Sequence, residues 1–309
     1  ISKVTGLKKS KNRRRHLKIK DELQAMTIFL KNITTIVVTF NSEHCIKSLS
    51  NNIPNNLPLI IVDNASSDNT VAEVKKLLPQ AILIQNNENL GFGVANNKGI
   101  RAANTPFVLL LNPDCIPTEE FYTEILQAAI EFPDAAIIAP QIIKKNGGLE
   151  VSYRFPKTTW QSAGGATNGP CCVGFASGAA LLLNKRVMDE IGYFDEKFFL
   201  YYEDEDLCQR VFNAKKELII FPRATVTHLS RGSVKGKNLL SHEYLRGYHH
   251  AQSKLLFETK HFNQGRSSAL RKKTLFLAFL NLFIRLLYPQ PKYLARLWGR
   301  IRGLLDATG

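Results

Sequence analysis

The sequence predicts an α/β protein: a mostly parallel central sheet with flanking helices, followed by amphipathic helices at the C-terminus. Three observations lead there. Short β-branched runs recur at residues 33–40, 59–62, 81–84 and 107–111. Each is continuously apolar and bounded by turn residues, the pattern of strands covered on both faces. Helical patterns lie between them, and the last third of the chain turns to apolar stretches studded with basic residues.

The elements follow in order. Residues 1–32 read as a basic N-terminal segment, too polar at its start to hold the apolar stretch of a secretory signal. After the first two strands, Asp68 is placed to cap a helix carrying Val71, Val74, Leu77 and Leu78. After the fourth, Thr118 is placed to cap another, with Glu119 and Glu120 in its first turn. Phe121, Ile125, Ala128, Ala129 and Phe132 line one face of that helix. Strands alternating with helices give a parallel sheet, whose ligands sit at the carboxyl ends of the strands. Leu218–Phe221 reads as a later strand closed by a turn at Pro222. Residues 33–234 form one domain on this reading, and 235–309 a helical tail.

The residues that follow each strand are consistent with a single site. Thr39, Asn41 and Ser42 end the first; Asp63, Asn64, Ser66, Ser67 and Asp68 the second. The third leads into Asn86–Gly93 and on to Asn96 and Asn97; the fourth ends in Asn112-Pro113-Asp114. One such loop is a turn. Four in succession place carboxylates, amides and glycines on one rim, where a backbone can approach a ligand closely.

Further along, FFLYYEDEDLCQR (198–210) sets four consecutive carboxylates, Glu203 to Asp206, behind a group of aromatics. An acidic helix N-terminus accounts for some of that charge, since the helix dipole favours it. Charge is divided unevenly along the chain. Residues 1–20 carry nine Lys/Arg and no acid, and 235–309 carry fourteen against three, whereas the middle is mildly acidic within a net charge of +15. A nucleic-acid binder carries its basicity on the folded domain. Basic ends around an acidic middle point instead to an anionic membrane surface, and no nucleic acid is expected as a partner. Five cysteines, odd in number and without metal-ligand spacing, read as reduced thiols of a cytosolic protein.

Taken together, VVTFNS (37–42), IIVDNASSDNT (60–70), NLGFGVANNKGI (89–100), LLLNPD (109–114), GFASGAALLLNK (174–185), IGYFDEKFFLYYEDEDLCQR (191–210) and ATVTHLSRGS (224–233) resemble a family 2 glycosyltransferase with the GT-A fold. The resemblance spans about residues 33–232, and within the family it is closest in form to the rhamnosyltransferase-like branch. It implies an inverting sugar transfer from a nucleotide-diphosphate sugar to a glycan or polyprenyl-diphosphate-linked acceptor, in cell-surface polysaccharide synthesis. By the same resemblance Thr39, Asn41 and Asp63 would hold the base and ribose, and Asn89, Gly91 and Asn96 would line the nucleotide-sugar pocket. Asp114 would coordinate Mg²⁺ or Mn²⁺ on the diphosphate, with His228 a further ligand. Asp204 would be the catalytic base, and Gly178 would lie under the acceptor site, with Glu203 also on the acceptor side.

One departure bears on the metal. The first position of the family's Asp-x-Asp is the neutral Asn112, left to contact the donor without a charge. Hard divalent cations prefer carboxylate and phosphate oxygens, so the ion would be recruited together with the diphosphate. Two readings of Trp160 stay open, stacking on the acceptor sugar or burial in the core. Arg231 and Lys235 would either close over the diphosphate or belong to a solvated loop.

In the tail, Leu275–Leu287 is broken only by Asn281 and Arg285 and is too short to span a bilayer. Lys292–Leu305 sets Tyr293, Leu294, Leu297, Trp298, Ile301, Leu304 and Leu305 against Lys292, Arg296, Arg300 and Arg302, the pattern of an interfacial helix. Packing on the domain or on a second subunit is the competing account. The expected location is the cytoplasmic face of the cell membrane. Rival functions are a sugar nucleotidyltransferase, which lacks its glycine-rich basic loop here, and a membrane-docked nucleotide-sugar-binding protein without turnover. The sugar, the linkage and the oligomeric state are left open by the sequence.

Overall fold

The structure, a computed structural model, describes residues 31–155, 166–229, 239–287 and 289–307. The strands β1 (Ile33–Thr39), β2 (Leu59–Asp63), β3 (Ile82–Gln85) and β4 (Phe107–Leu111) pair in parallel, in the order β3-β2-β1-β4. The sheet continues through β11 (Ala180–Asn184), β6 (Ile137–Lys144), β12 (Leu218–His228) and the short β5 (Cys115–Ile116). The pairs β7 (Leu149–Glu150) with β6 and β9 (Cys171–Cys172) with β12 extend it, while β8 (Tyr153–Arg154) and β10 (Phe175–Ala176) form a separate ribbon.

Side chains of a strand alternate between faces, so a continuously apolar run supplies two cores at once. Ile33, Val37, Leu59, Ile61, Leu109 and Leu111 enter one core with α1 (Glu43–Asn52), α2 (Thr70–Leu77) and α4 (Glu119–Glu131). Ile36, Ile60, Val62, Val108 and Leu110 enter the other, with α3 (Phe92–Ala102), α5 (Lys185–Ile191) and α6 (Glu203–Asn213). The run at 81–84 departs from its expectation. As β3 it is the sheet edge and leaves Ile82 exposed, because an apolar run does not announce whether a neighbour will cover it.

Thr118 caps as expected, whereas the N-cap of α2 is Asn69, whose side chain makes no cap bond, and Asp68 just before it bonds the helix start instead. Thr118 Oγ1 accepts from Phe121 N at 3.2 Å. Asp68 serves two helices: Oδ1 accepts from Thr70 N at 3.0 Å and Oδ2 from Glu43 N at 3.1 Å, so it ties α1 to α2. Pro222, expected in a turn, lies inside β12 at a register shift between Phe221 and Thr225. A bulge tolerates the missing N–H there, and the strand runs on to His228.

Strand direction decides what meets at the rim. Antiparallel β11 between β4 and β6 reverses direction twice, so β6 and its parallel neighbour β12 end on the same side as β4. Thr39, Asp63, Leu111 and His228 therefore end on one edge of the sheet, and β11 begins there at Ala180.

Three helices complete the chain: α7 (Leu239–His261), α8 (Gln264–Leu287) and α9 (Pro291–Asp306). The face of α9 expected to meet a membrane is divided. Leu297, Ile301 and Leu304 are buried against α7 and α8, while Tyr293, Trp298 and Leu305 remain exposed. The reason is a helix neighbour that the sequence pattern could not reveal. On α8, Leu275, Ala278 and Leu282 point inward. Phe276, Phe279, Leu280, Phe283, Ile284 and Leu287 form an outward stripe at helical spacing, with Phe276 70% and Phe283 69% exposed. Among the described residues no helix is long and apolar enough to cross a membrane. Trp160, Arg231, Lys235 and residues 1–30 lie outside the described residues.

Candidate active site

The first loops of the rim form a connected polar lattice. Asp63 accepts from Thr39 Oγ1 at 2.9 Å, from Ser66 N at 2.9 Å and from Ser66 Oγ at 2.6 Å. Asn41, at a left-handed φ of 50°, donates its N–H to Ser66 Oγ and accepts from Ser67 N, each at 2.8 Å. These three expected nucleotide residues stand together, held by one another and by two serines.

A second chain of amides shapes the glycine loop. Lys98 Nζ donates to Asn86 Oδ1 at 2.6 Å, Asn86 Nδ2 to Asn64 Oδ1 at 2.8 Å, and Asn64 Nδ2 to Gly91 O at 3.0 Å. Asn89 Oδ1 accepts from Gly91 N at 3.0 Å. Gly91 has φ +85°, and a Cβ there would lie 2.2 Å from the Phe199 carbonyl oxygen, so only glycine fits. Phe92 N–H donates to that same oxygen at 3.1 Å. The loop is thereby fastened to the aromatic segment preceding the acids. Asn96 is buried and turns its amide to Phe92 O, which places it in the support of the loop and not on the pocket surface. Lys98 escaped notice in the sequence, since a lysine in the middle of a helix carries no signal until Asn86 is beside it.

Asn112 and Asp114 follow β4. Asn112 N–H donates to Ala179 O at 2.9 Å, bringing this loop against the start of β11. Asp114 is buried, and its Oδ1 stands 3.3 Å from His228 Nε2, because Cys115 pairs with His228 in the β5–β12 ladder. Burial disfavours the charged imidazole, but the Asp114 hydrogen bond and charge raise the His228 pKa above its usual value. A buried carboxylate and an imidazole nitrogen on one rim fit a divalent ion whose remaining ligands are diphosphate oxygens and water. Among the described residues no group of three or more His, Cys, Asp and Glu is clustered for a metal.

The acidic run opens α6 after two successive tyrosines with left-handed backbone, Tyr201 at φ 67° and Tyr202 at φ 66°. Such conformations cost about 1–3 kcal/mol each and persist where the surroundings impose them. Here the tyrosine rings meet His250 of α7 at 5.7 and 5.4 Å, and Ser253 Oγ donates to Leu200 O at 2.9 Å.

The four acids have four fates. Asp204 Oδ2 accepts the Gly178 N–H at 3.0 Å, so Gly178 holds the carboxylate directly. Burial raises the Asp204 pKa, the Gly178 hydrogen bond opposes this, and the Glu205 charge raises it again, for a net upward shift. Glu203, expected on the acceptor side, is only 7% exposed and packs toward Gly93 of α3. Burial and the Asp204 charge hold its pKa well above the carboxylate range. Glu205 is paired with Arg154. Asp206 is fully buried and accepts from Arg210 at 2.9 Å, Lys260 at 2.6 Å and His261 at 2.7 Å. Burial opposes its charge, but these three donors hold its pKa down to about 2. Asp206 is a clamp between α6 and α7.

The profile of Glycosyl transferase family 2 matches residues 34–192. The low-salt glycan biosynthesis hexosyltransferase Agl10 of Haloferax volcanii is 30% identical over 194 residues, 59% of this chain and 62% of the relative. This chain thus spans a little under two thirds of that protein. The N-acetylglucosaminyl-diphospho-decaprenol L-rhamnosyltransferase of Mycobacterium tuberculosis is 26% identical over 264 residues, 74% of this chain and 85% of the relative. Among solved structures, the mannosyltransferase PcManGT of Pyrobaculum calidifontis, in complex with GDP-Man and Mn²⁺, superposes with a TM-score of 0.51 at 15% identity, covering 89% of this chain and 85% of that one. The mixed sheet, its polar rim and a profile match over just over half the length agree: this chain belongs to glycosyl transferase family 2.

Proposed function

We propose that the protein is an inverting glycosyltransferase that moves a hexose, rhamnose or a close relative, from a nucleoside-diphosphate donor to a hydroxyl of a prenyl-diphosphate-linked glycan. The observation that carries this reading is the position of Asp204. Its carboxylate is pinned by Gly178, two residues from the start of β11, whose first residue pairs with Leu111 at the base of the Asn112–Asp114 loop. The proposed base on α6 is thus fastened to the segment leading into β11, the neighbour of the strand that carries the proposed diphosphate loop.

The roles follow from chemistry. Asp204 takes the proton from the acceptor hydroxyl as that oxygen attacks the anomeric carbon, and its raised pKa makes it a better base than an ordinary carboxylate. Attack from the side opposite the leaving diphosphate inverts the anomeric centre. Thr39, Asn41 and Asp63 receive the nucleoside, and the Asn89–Gly91 turn holds the sugar end of the donor. Asp114 and His228 would hold Mg²⁺ or Mn²⁺, which neutralises charge developing on the diphosphate. The Mn²⁺ found with the mannosyltransferase supports a divalent ion.

We place the protein at the inner face of the membrane. The apolar stripe of α8 is larger than a scatter of surface residues, and exposed Lys272, Lys273 and Lys292 flank it, as an anionic bilayer would favour. The test is transfer itself. The full chain is supplied with a panel of nucleotide sugars and farnesyl-diphospho-N-acetylglucosamine, and the product anomer is read by NMR. Inverted product establishes the reading; binding without turnover, or retention, overturns it.

A further inference from the structure

Helices α7 and α9 cross at unusually short range. A Cβ on Gly247 would lie 2.0 Å from Arg296 O, and one on Gly299 would lie 1.9 Å from Tyr244 O. The crossing brings Arg246, next to Gly247, and Arg300, next to Gly299, to the same place. Arg246, His250 and Lys254 follow at intervals of four, so they share one face of α7. That face meets Tyr201 and Tyr202 through the His250 ring. Burial and the charges of Arg300, Lys254 and Arg246 push the His250 pKa down to about 4, which leaves the imidazole neutral among three cations.

Buried Glu203, which also faces Tyr201, is held toward its neutral form by burial and the Asp204 charge, and the other nearby acids are engaged. Glu243 pairs with Arg296, Glu258 with Arg266 and Glu205 with Arg154. Among the described residues Arg246, Lys254 and Arg300 have no ion pair, and none of the three is fully exposed. Gathering three like charges without a counter-ion opposes folding, and an anionic ligand of charge near −2 would offset it.

We propose that Arg246, Lys254 and Arg300 form the site for the diphosphate of the prenyl-linked acceptor, beside the Tyr201–Asp204 segment. This rests on the lipid-linked acceptor proposed above and assigns that acceptor a place. The two arginines present forked donors to phosphate oxygens and the lysine adds a point charge. Tyr202 lies two residues before Asp204, so a diphosphate held here leaves its attached sugar within reach of the base. The neutral His250 contributes a ring nitrogen to the same cluster without adding a fourth positive charge.

The experiment uses the full chain and its Arg246→Gln/Arg300→Gln variant in neutral detergent micelles. Transfer is measured to farnesyl-diphospho-N-acetylglucosamine and to octyl N-acetylglucosaminide, which lacks the diphosphate. KM for the diphosphate acceptor should rise about 10²- to 10⁴-fold, the scale of two charge-assisted hydrogen bonds. KM for the octyl glycoside and for the donor should move less than twofold. An equal rise in donor KM would assign the cluster to the donor and overturn the proposal. Loss of binding to phosphatidylglycerol vesicles with micellar KM unchanged would make it a headgroup patch, which also overturns it. Direct binding of farnesyl diphosphate, measured by calorimetry without metal, needs no turnover. If transfer fails altogether but the double variant weakens this binding, the site stands and the acceptor reading falls. If transfer proceeds and binding is indifferent to the substitutions, the site falls and the acceptor reading stands.

Discussion

The backbone N–H of Gly178 donates to Oδ2 of Asp204 at 3.0 Å, and a Cβ at that glycine would stand 3.4 Å from Asp204 Cβ. The carboxylate is aimed by a strand start that also touches the Asn112 loop through Ala179. Asp204→Asn keeps the shape and removes the basic oxygen. Turnover should fall about 10²- to 10⁴-fold with donor affinity nearly intact. Activity requires the deprotonated carboxylate, so turnover should rise with pH, and the raised pKa moves this rise above the ordinary carboxylate range. A variant that keeps a tenth of wild-type turnover, or a rise near pH 4, would remove Asp204 from the role.

The Asp206 clamp has a separate signature in stability. Its folded pKa of about 2 lies below the unfolded value, so its contribution is present above about pH 4 and is lost as pH falls toward 2. Asp206→Ala leaves Arg210 and His261 without their carboxylate and Lys260 with Asp195 alone. Removing one partner of a buried ionic group costs about 3–5 kcal/mol. Thermal unfolding at pH 7 should show a large drop in Tm, shrinking as the comparison is repeated toward pH 2. Equal Tm values at pH 7 would show that α6 and α7 do not depend on this contact.

For the metal, Asp114→Ala and His228→Ala should each weaken Mn²⁺-dependent binding of the nucleoside diphosphate, with Asp114→Ala the more severe because it removes the charge. Calorimetry with and without chelator reads this without turnover. Nucleoside-diphosphate affinity that ignores both chelator and substitution would mean that the neutral Asn112 belongs to a metal-independent site.

The exposed stripe of α8 is the surface that a membrane would cover, and substitutions there leave the helix packing intact. Deleting residues 270–309 would strip α9 from α7, whose helix supports Tyr202 and Asp206. Phe276→Glu/Phe283→Glu alters only the exposed stripe. It should reduce binding to phosphatidylglycerol vesicles at least tenfold while transfer to the octyl glycoside continues. Unchanged vesicle binding, with a loss of dimer in sedimentation, would assign the stripe to a second copy of the chain.

Most of the nucleotide half of this protein was legible in the sequence. Continuous β-branched runs and turn chemistry are local, so β1, β2, β4, the Thr118 cap and the four polar strand ends could be read directly. Glycines and carboxylates in a family-like order singled out Asp204, Asp114 and His228 as candidates. Only the tertiary structure decided how these residues act. The reversed β11 brings Gly178 beneath Asp204 and His228 beside Asp114, contacts that depend on strand direction and not on any residue's neighbours in the chain. The acidic run looked uniform, yet burial and partners separate it into a glycine-pinned carboxylate proposed as the base, a buried acid, an arginine partner and a clamp. The division of the tail's apolar faces was hidden for the same reason. An apolar helix face has equal affinity for lipid and for another helix, and the glycine-lined crossing of α7 and α9 settled which face went inward.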